Sequence, residues 1–374
     1  MRIALLTWGV RPGAFANLAR TMARDLREAG AAEVLVAYLG RGQGSELGNG
    51  VRPVPLGARR TATSIIRIAR FLQREAPDVL ISMPTLMNVP AVVASLLVAR
   101  RHSKVVVYQA DTLGSDFRID HRFVLRMRAL PVLARLLYPH ADEVVAMVGT
   151  TLDLLRAGRI STAGQPLGVI PPPVDLEQVR ARSLEGPSHP WLVDKTQSVI
   201  TSLGRLVKRK NLPLLLEAFA RLRRRMPARL IVFGEGPERA LTERLVAELG
   251  LDHVSLPGYV ENPFADIACS DVFVMASLDE GFCLALVEAM ACGVPVVATD
   301  AAGGGPRFIL DHGRYGALVR SGDASALEEA VSQVLIQPDL ARRRGQLARG
   351  RAAVFEPREI GGRWITFLEQ VLST

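Results

Sequence analysis

In the stretch 271–299, a pattern typical of a β-strand is followed by a helical pattern and then by a second strand pattern. Asp271–Ala276 is a short apolar run, which indicates a buried parallel strand. A turn at Gly281 leads into a helix predicted from Leu284 to Cys292. Val294–Ala298 is then a second apolar strand. Because parallel neighbours need a crossover connection, this succession restricts the chain to folds built on parallel sheets.

The same alternation occurs twice more at the start of an apparent domain. Arg2–Thr7 is a strand that a loop connects to a helix from about Ala14 to Ala29, the opening of a doubly wound α/β domain. Val199–Leu203 and a helix near Leu212 repeat the pattern. A chain of 374 residues is long enough for two such domains.

The boundary between these domains is predicted at a proline-rich connector. Residues 171–175 (Pro-Pro-Pro-Val-Asp) favour extended backbone, and residues 176–197 are polar and interrupted by prolines. We therefore expect a first domain over residues 1–175, a second over 176–350, and a final helix over 351–374.

Two carboxylates bracket the entrance of the helix after Gly281. Glu280 precedes it and Glu288 lies within it, with the backbone N–H groups of Phe282 and Cys283 between them. A helix N-terminus carries unpaired donors and partial positive charge, so it suits a phosphate. Carboxylates accept hydrogen bonds from sugar hydroxyls. The stretch therefore combines donors for a diphosphate with acceptors for hydroxyls, which is the chemistry that binds a nucleotide sugar.

These residues resemble the signature of a known family. Glu280-Gly-Phe and Glu288-Ala-Met-Ala-Cys-Gly-Val-Pro-Val-Val-Ala-Thr, with seven residues between the glutamates, are similar to retaining glycosyltransferases of the GT-B class, family 4 (glycosyl transferases group 1). The resemblance is strongest over residues 199–320 and concerns only the order of elements over 1–170. It implies two doubly wound Rossmann-like domains with a cleft between them. It also implies a last helix that crosses back to the first domain.

The resemblance assigns roles within the second domain. Arg205 and Lys210 would bind the donor diphosphate electrostatically, Glu280 the sugar ring and Glu288 the ribose hydroxyls. The donor would be a UDP-sugar, by the habit of the family. The expected donor-binding residues are Gly13, Gly204, Arg205, Lys210, Gly234, Gly236, Tyr259, Val260, Glu280, Gly281, Phe282, Cys283, Leu284 and Glu288. Of these, Gly234 and Gly236 are expected to leave room for a base or ribose, and Tyr259 and Val260 to line the base.

The first domain offers fewer candidates. Gly13 sits at a helix start, where many relatives have a Gly-Gly pair and this chain has Pro12-Gly13. The loop after Gln109 follows a strand, where α/β folds bind ligands. Many relatives have a histidine there, and this chain has Asp111, which either contacts the acceptor or the sugar or makes a turn. Asp111 joins Arg205, Lys210 and Glu280 as the expected catalytic residues.

Charge is distributed unevenly along the chain. Residues 1–170 contain 22 Lys and Arg against 12 Asp and Glu, whereas the remainder contains 24 against 25. The basic half is either a solvated surface or a surface for an anionic partner, such as membrane phospholipid or a phosphate-bearing acceptor. No nucleic-acid motif accompanies the charge, and aromatic residues make up only 5% of the chain, so we expect no nucleic-acid partner.

Several kinds of site and setting are not indicated. The three cysteines have no metal-ligand spacing, there is no Asp-x-Asp pair, and we expect neither a metal nor a cofactor besides the donor. No apolar run reaches the ~18 residues of a membrane span. We expect a cytoplasmic protein, with peripheral attachment to the inner face of the cytoplasmic membrane as a further option.

The sequence thus predicts a metal-independent retaining transferase of a hexosyl or N-acetylhexosaminyl group. The expected acceptor is a membrane-associated glycan or lipid-linked molecule of cell-surface polysaccharide or lipopolysaccharide synthesis. A soluble small-molecule acceptor, a sugar-nucleotide epimerase of the same fold and a sugar-nucleotide binding protein without turnover are the alternatives. A phosphorylase would need a pyridoxal lysine, and none can be identified.

Overall fold

The computed structural model describes residues 1–9, 14–40, 47, 50–57, 61–83, 85–98, 102–109, 129–158 and 167–373. The chain divides into two compact units, each with its own parallel sheet. Unit 1 comprises Met1–Pro173 and Phe355–Thr374, and unit 2 comprises Val174–Val354. The predicted fold class, with two doubly wound sheets, is confirmed.

The described part of unit 1 contains a seven-stranded sheet in the order β3-β2-β1-β4-β5-β6-β7. Its strands are β1 (Arg2–Thr7), β2 (Glu33–Tyr38), β3 (Val51–Pro55), β4 (Val79–Ser82), β5 (Lys104–Gln109), β6 (Glu143–Ala146) and β7 (Leu167–Val169). All neighbours pair in parallel. From β1 the chain first adds β2 and β3 on one side and then returns to add β4 on the other side. Open α/β sheets bind ligands at such a point, where the strand order reverses.

Helices connect these strands. They are α1 (Ala14–Glu28), α2 (Thr61–Glu75), α3 (Thr85–Leu96), α4 (Leu130–Leu137) and α5 (Gly149–Ala157). α1 has the predicted limits to within one residue, because Leu18, Met22 and Leu26 recur at helical spacing and are all buried. Residues 121–128, which were predicted to begin the helix that contains α4, lie outside the described residues.

The sequence predicts a helix from Val89 to Ala99. In the structure this helix, α3, begins four residues earlier, at Thr85, and includes Asn88 and Pro90 in its first turns. Asn88 is fully buried and hydrogen-bonded to other side chains, so this polar residue belongs to the interior face of the helix.

The segment after the proline connector is not an irregular linker as predicted. It contains α6 (Leu176–Ser183), whose N-cap Asp175 accepts a hydrogen bond from Gln178 N at 3.2 Å. The helix buries Leu176 and Val179. The signal was present in the sequence, since an acidic N-cap followed three residues later by Gln is a capping pattern.

Unit 2 contains a six-stranded parallel sheet in the order β10-β9-β8-β11-β12-β13. Its strands are β8 (Ser198–Leu203), β9 (Ala228–Phe233), β10 (Val254–Gly258), β11 (Val272–Met275), β12 (Val296–Asp300) and β13 (Ala317–Arg320). Its helices after α6 are α7 (Pro190–Val193), α8 (Leu212–Arg223), α9 (Arg239–Glu248), α10 (Pro263–Cys269), α11 (Leu284–Ala291), α12 (Gly305–Ile309), α13 (Ala324–Ile336) and α14 (Pro338–Ala352). A core of aliphatic side chains from α8, α13 and the strands lies on one face of the sheet.

The last helix, α15 (Pro357–Ser373), belongs to unit 1 and packs against α1. Trp364 is almost fully buried and meets Tyr108 of β5 edge-to-face, with ring centroids 5.2 Å apart. Phe367, beside Trp364, lies against Gly168 of β7. Trp364 and Phe367 thus both contact the sheet of unit 1. None of the helices in the described ranges combines the length and apolarity needed to cross a bilayer.

Two adjacent glycines of α15 provide a matched test of this packing. A Cβ on Gly361 would lie 2.9 Å from the carbonyl oxygen of Asp25, whereas a Cβ on Gly362 would meet nothing within 4 Å. We expect Gly361→Ala to destabilise unit 1 by about 1–3 kcal/mol through overpacking. Gly362→Ala should stabilise it by up to about 1 kcal/mol through helix propensity. Chemical denaturation of both variants measures the difference, and equal effects would contradict the packing described.

Candidate active site

Backbone hydrogen bonds join the loops at the carboxyl edge of the unit 2 sheet. Leu206 N donates to Glu235 O at 2.9 Å, which joins the loop after β8 to the loop after β9. Leu278 N donates to Arg209 O at 2.8 Å, which joins the loop after β11 to the loop after β8. Because these strands are neighbours in the order β9-β8-β11, three loops that are distant in sequence form one surface.

Lys210 is placed on this surface by a short turn. It ends the 3₁₀ turn Lys208–Lys210, and the next residue, Asn211, adopts a left-handed conformation with φ 51° from which α8 begins. Asparagine tolerates this conformation better than most residues. A Cβ on Gly204 would lie 3.0 Å from Cε of Lys210. The space beside Gly204 is therefore occupied by the lysine side chain.

Lys210 and Glu280 form a partly buried ion pair. Nζ lies 2.7 Å from Oε1, and the two side chains are 15% and 5% exposed. Burial alone would lower the pKa of Lys210, but the carboxylate of Glu280 outweighs it and the net pKa lies above the ordinary value. Lys210 therefore carries its positive charge at neutral pH. The site contains a fixed cation that an anion can approach.

Glu288 projects from the second turn of α11 and is partly buried. Burial raises the pKa of its carboxyl to about 7, and the positive charge of Lys210 opposes the rise. Glu288 is thus within electrostatic reach of Lys210. It changes charge near neutral pH, which an exposed glutamate does not.

Arg205 follows Gly204 directly and is exposed. No ion pair or hydrogen bond of its side chain is found within the described part of the chain. Its guanidinium is therefore available to an anion at the same edge as Lys210.

The two glycines after β9 lie where two backbones approach closely. A Cβ on Gly234 would overlap the carbonyl oxygen of Gly204, and a Cβ on Gly236 would overlap that of Leu206. The neighbouring loop therefore fills the space that a Cβ would take, and the expectation that these glycines leave room for a base or ribose stays a prediction. Both glycines are needed because two backbones approach closely, which brings the loop that contains Arg205 against the loop after β9.

A glycine-rich turn after β12 shapes the backbone around Glu280. A Cβ on Gly303 would overlap the carbonyl oxygen of Glu280, and a Cβ on Gly305 would lie 2.9 Å from it. Gly305 N donates to the same oxygen at 3.0 Å. These glycines were not among the predicted site residues, although three consecutive glycines are a signal of close backbone approach.

Gly281, Phe282, Cys283 and Leu284 form the entrance of α11, as predicted, with Cys283 as the N-cap. The Cys283 side chain points into the core, where its thiol donates to the sulfur of Met275 at 2.8 Å. Burial raises the pKa of this thiol to about 12. Only the backbone of Cys283 is therefore on the side of the site.

The segment after β10 adjoins the loop of Gly234. Gly258 O accepts a hydrogen bond from Gly234 N at 2.8 Å, and Tyr259 and Val260 follow directly. Tyr259 is 80% exposed. Its ring is accessible to a planar ligand, and the prediction that this segment lines a base stays a prediction.

Gly13 and Asp111, the two site residues predicted in unit 1, lie outside the described residues. Gln109, the last residue of β5 before the segment of Asp111, is fully buried. Its Nε2 donates to Thr85 Oγ1 at 2.6 Å, and its Oε1 accepts from Tyr138 at 2.7 Å. Gln109 is thus held inside the fold, and the sequence analysis did not anticipate this cluster.

The described part of the chain groups no three His, Cys, Asp or Glu side chains as a metal ion would need. What unit 2 does bring together is a partly buried lysine, an exposed arginine and two carboxylates. Such a set can bind a polyanion through Lys210 and Arg205 and hydroxyl groups through Glu280 and Glu288.

Two family models match the chain. The model of glycosyl transferases group 1 matches residues 188–351, which include every charged residue of this site. The model of glycosyltransferase family 4 matches residues 16–178. Together they leave only the ends of the chain and a short connector unmatched.

Curated proteins are similar over part of their length. An N-acetylgalactosamine-N,N'-diacetylbacillosaminyl-diphospho-undecaprenol 4-alpha-N-acetylgalactosaminyltransferase of Campylobacter jejuni is 32% identical over 226 residues, 60% of this chain and 59% of that protein. A GDP-mannose-dependent alpha-(1-6)-phosphatidylinositol monomannoside mannosyltransferase of Mycolicibacterium smegmatis is 38% identical over 162 residues, 40% of this chain and 42% of that protein. The match thus spans less than two thirds of these relatives.

Solved structures share the fold over the whole chain. Anabaena HepE in complex with UDP has a TM-score of 0.76 at 20% identity, covering 99% of this chain and 100% of that one. Sucrose-phosphate synthase from Thermosynechococcus elongatus has a TM-score of 0.81 at 21% identity, covering 99% of each chain. With the two family models, these similarities establish that the chain belongs to the GT-B-fold glycosyltransferases of family 4, the glycosyl transferases group 1.

Proposed function

We propose that this protein transfers a sugar from a nucleoside diphosphate sugar, in the first instance a UDP-sugar, to a membrane-associated glycan or lipid-linked acceptor. The observation that carries the proposal is the buried Lys210–Glu280 pair, with Arg205 and Glu288 beside it at the carboxyl edge of the unit 2 sheet. The transfer proceeds with retention and without a metal ion.

Each of these residues binds the part of the donor that suits its chemistry. Lys210 and Arg205 bind the diphosphate and stabilise the negative charge that develops on it as it leaves. Glu280 accepts hydrogen bonds from hydroxyls of the transferred sugar, and Glu288 from those of the ribose. Two cations take the role that a divalent metal has in other transferases, so no metal is required.

The transfer itself needs no separate protein base. The bond between the anomeric carbon and the diphosphate oxygen breaks, and the acceptor hydroxyl forms the new bond on the same face. The proton of that hydroxyl moves to a phosphate oxygen of the leaving diphosphate. Lys210 and Arg205 hold the oxygen in place for both events.

Relatives and surface chemistry support an acceptor at a membrane. The names of relatives include transfer to undecaprenol-linked and phosphatidylinositol-linked acceptors and lipopolysaccharide core synthesis. In unit 1, α4 exposes Val132, Leu133 and Leu136 beside the exposed Arg135. Apolar and cationic side chains on one helix suit an anionic bilayer surface. These features support peripheral attachment, which we propose at the inner face of the cytoplasmic membrane.

A soluble acceptor is the second candidate. One relative, from Bacillus anthracis, is an N-acetyl-alpha-D-glucosaminyl L-malate synthase, and it is 32% identical over 165 residues. Such an enzyme would transfer sugar in free solution and would be indifferent to anionic lipid. A sugar-nucleotide epimerase would consume donor without any transferred product.

A two-stage experiment tests the proposal. Thermal shift with UDP, GDP and ADP and their common sugars identifies the base, and we expect one nucleotide to stabilise the protein. Product formation in EDTA is then measured with a polyprenyl-diphosphate saccharide in anionic vesicles and with malate or inositol phosphate in solution. Proton NMR of the product gives the anomeric configuration. Absence of binding to all the nucleotides, or an inverted product, contradicts the proposal.

A further inference from the structure

Ser277 is a fully buried residue at the start of the loop that contains Glu280. It lies two residues beyond the end of β11, and its Oγ donates a hydrogen bond to Glu280 Oε1 at 3.0 Å. The Thr299 hydroxyl donates to the carbonyl oxygen of Ser277 at 2.6 Å. Thr299 itself is fully buried in β12. The main chain that presents the serine hydroxyl is therefore fixed by the neighbouring strand.

Both recorded contacts of the Glu280 carboxylate involve the same oxygen. Lys210 Nζ lies 2.7 Å from Oε1, and Ser277 Oγ lies 3.0 Å from it. Within the described part of the chain no hydrogen bond or ion pair to Oε2 is recorded. A carboxylate has about four lone-pair positions, so Oε2 retains the capacity to accept from a hydroxyl group.

Lys210 has to serve two anions in the proposed reaction. Without donor it neutralises Glu280, and with donor it faces a diphosphate that carries more negative charge. As the ammonium turns toward the diphosphate, its hold on Glu280 weakens. A carboxylate that is only 5% exposed then needs another group to keep its orientation.

We propose that Ser277 is the positioning residue for Glu280. Its hydroxyl holds Oε1 while Lys210 engages the diphosphate, so that Oε2 is presented to a hydroxyl of the donor sugar. Ser277 contacts no substrate and acts through Glu280. The inference rests on the proposed function, since it assumes a donor with a diphosphate and a sugar.

Ser270 provides a matched control at the other end of the same strand. It is a buried serine just before β11, and its hydroxyl donates to the carbonyl oxygen of Ile267 at 2.7 Å. The same hydroxyl lies 2.9 Å from Thr201 Oγ1 in β8. Removing it therefore affects a helix end and a neighbouring strand, both far along β11 from the carboxylate. A general loss of packing should therefore appear in both alanine variants, whereas a loss of orientation of Glu280 should appear only in Ser277→Ala.

The test compares turnover of the nucleotide sugar with inhibition by the nucleoside diphosphate, which lacks the sugar. For wild type, Ser277→Ala and Ser270→Ala, we would measure kcat/KM for the nucleotide sugar and the inhibition constant of the nucleoside diphosphate. We expect Ser277→Ala to lower kcat/KM by at least about tenfold, the scale of one hydrogen bond to a charged group. Its inhibition constant should stay within about twofold of wild type, because Lys210 and Arg205 are unchanged. Ser270→Ala should leave the ratio of the two quantities unchanged.

Equal losses in both quantities, or no loss in either, would overturn the role of Ser277. Should the alanine variant fail to fold, Ser277→Cys retains the size and a weak donor and is expected to show an intermediate loss in kcat/KM alone. A Ser277→Cys variant with the same kcat/KM as the wild type would also overturn the inference. A wild-type protein that binds neither ligand would instead contradict the proposed function, so the two failures are distinguishable.

Discussion

Replacing Lys210 by alanine is expected to lower kcat by about 10²–10³-fold, with a smaller effect on the donor KM. Without donor, the lysine ammonium lies 2.7 Å from the Glu280 carboxylate in a site where both side chains are mostly buried. Charge that develops on a leaving diphosphate is stabilised far more by such a cation than the resting donor is. Steady-state kinetics at saturating acceptor separate kcat from KM.

Lys195 provides the control for this substitution. It also forms an ion pair in unit 2, with Asp271 at 2.8 Å, but Lys195 precedes β8 and Asp271 precedes β11, so this pair lies at the amino ends of the strands. Lys195→Ala should leave kcat unchanged within about twofold. An increase in KM with unchanged kcat in Lys210→Ala would mean that the lysine contributes only uniform binding, against the role assigned to it.

Stability has to be measured alongside, since Lys210→Ala leaves the Glu280 carboxylate buried without its cation. We expect the loss of an ion-pair partner to lower Tm, and neutralising the carboxylate in Lys210→Ala with Glu280→Gln to restore part of it. The double variant should remain inactive. Recovery of kcat together with Tm would show that the first loss came from misfolding.

Replacing Glu288 by glutamine is expected to raise the donor KM by about 10–100-fold above pH 7, the scale of hydrogen bonds to an ionised acceptor. In wild type the carboxyl, with its pKa raised to about 7 by burial, is neutral at pH 6 and ionised at pH 8. The ionised form is the stronger acceptor for hydroxyls. Donor binding by the wild type should therefore strengthen as the pH rises from 6 to 8.

The glutamine variant removes this dependence, because its side chain does not titrate. The measurement is the donor KM across pH 6–8 for both proteins. Glu217→Gln is the control, since Glu217 is an exposed residue of α8 whose ion pair within the described residues is with Arg221. The same pH dependence in wild type and Glu288→Gln would exclude Glu288 as the titrating group. The pH dependence of the donor KM would then come from another residue.

The sequence predicted the local parts of this site and missed their contacts. The helix entrance after Glu280 was readable because glycine, the apolar strand and the helical spacing lie next to one another. The pairing of Lys210 with Glu280 was not, because it depends on β8 and β11 being neighbours in the sheet while two other strands lie between them in sequence. Strand order is a property of the whole fold.

Glycines and buried polar residues are the positions at which the sequence is least informative. A missing Cβ at Gly234 suits either a ligand or another backbone, and the sequence alone gives no means of choosing between them. The buried position of Asn88 could not be predicted from its own segment, because its hydrogen bonds to Ser82 and Tyr138 come from elements six and fifty residues away. The pattern of a segment describes its own preferences, and such partners can reverse them.

Unit 1 is formed by two segments that are far apart in the sequence, and this affects the order in which the two units can finish folding. Unit 2 is one continuous segment, whereas unit 1 needs the residues after Val354 to complete it. At about 5–20 residues per second, a ribosome takes tens of seconds to reach α15 after β1 has emerged. During that interval the backbone of Asp25 that later lies against Gly361, and the ring of Tyr108 that later meets Trp364, lack their cover. The half that leaves the ribosome first is therefore the half that finishes folding last.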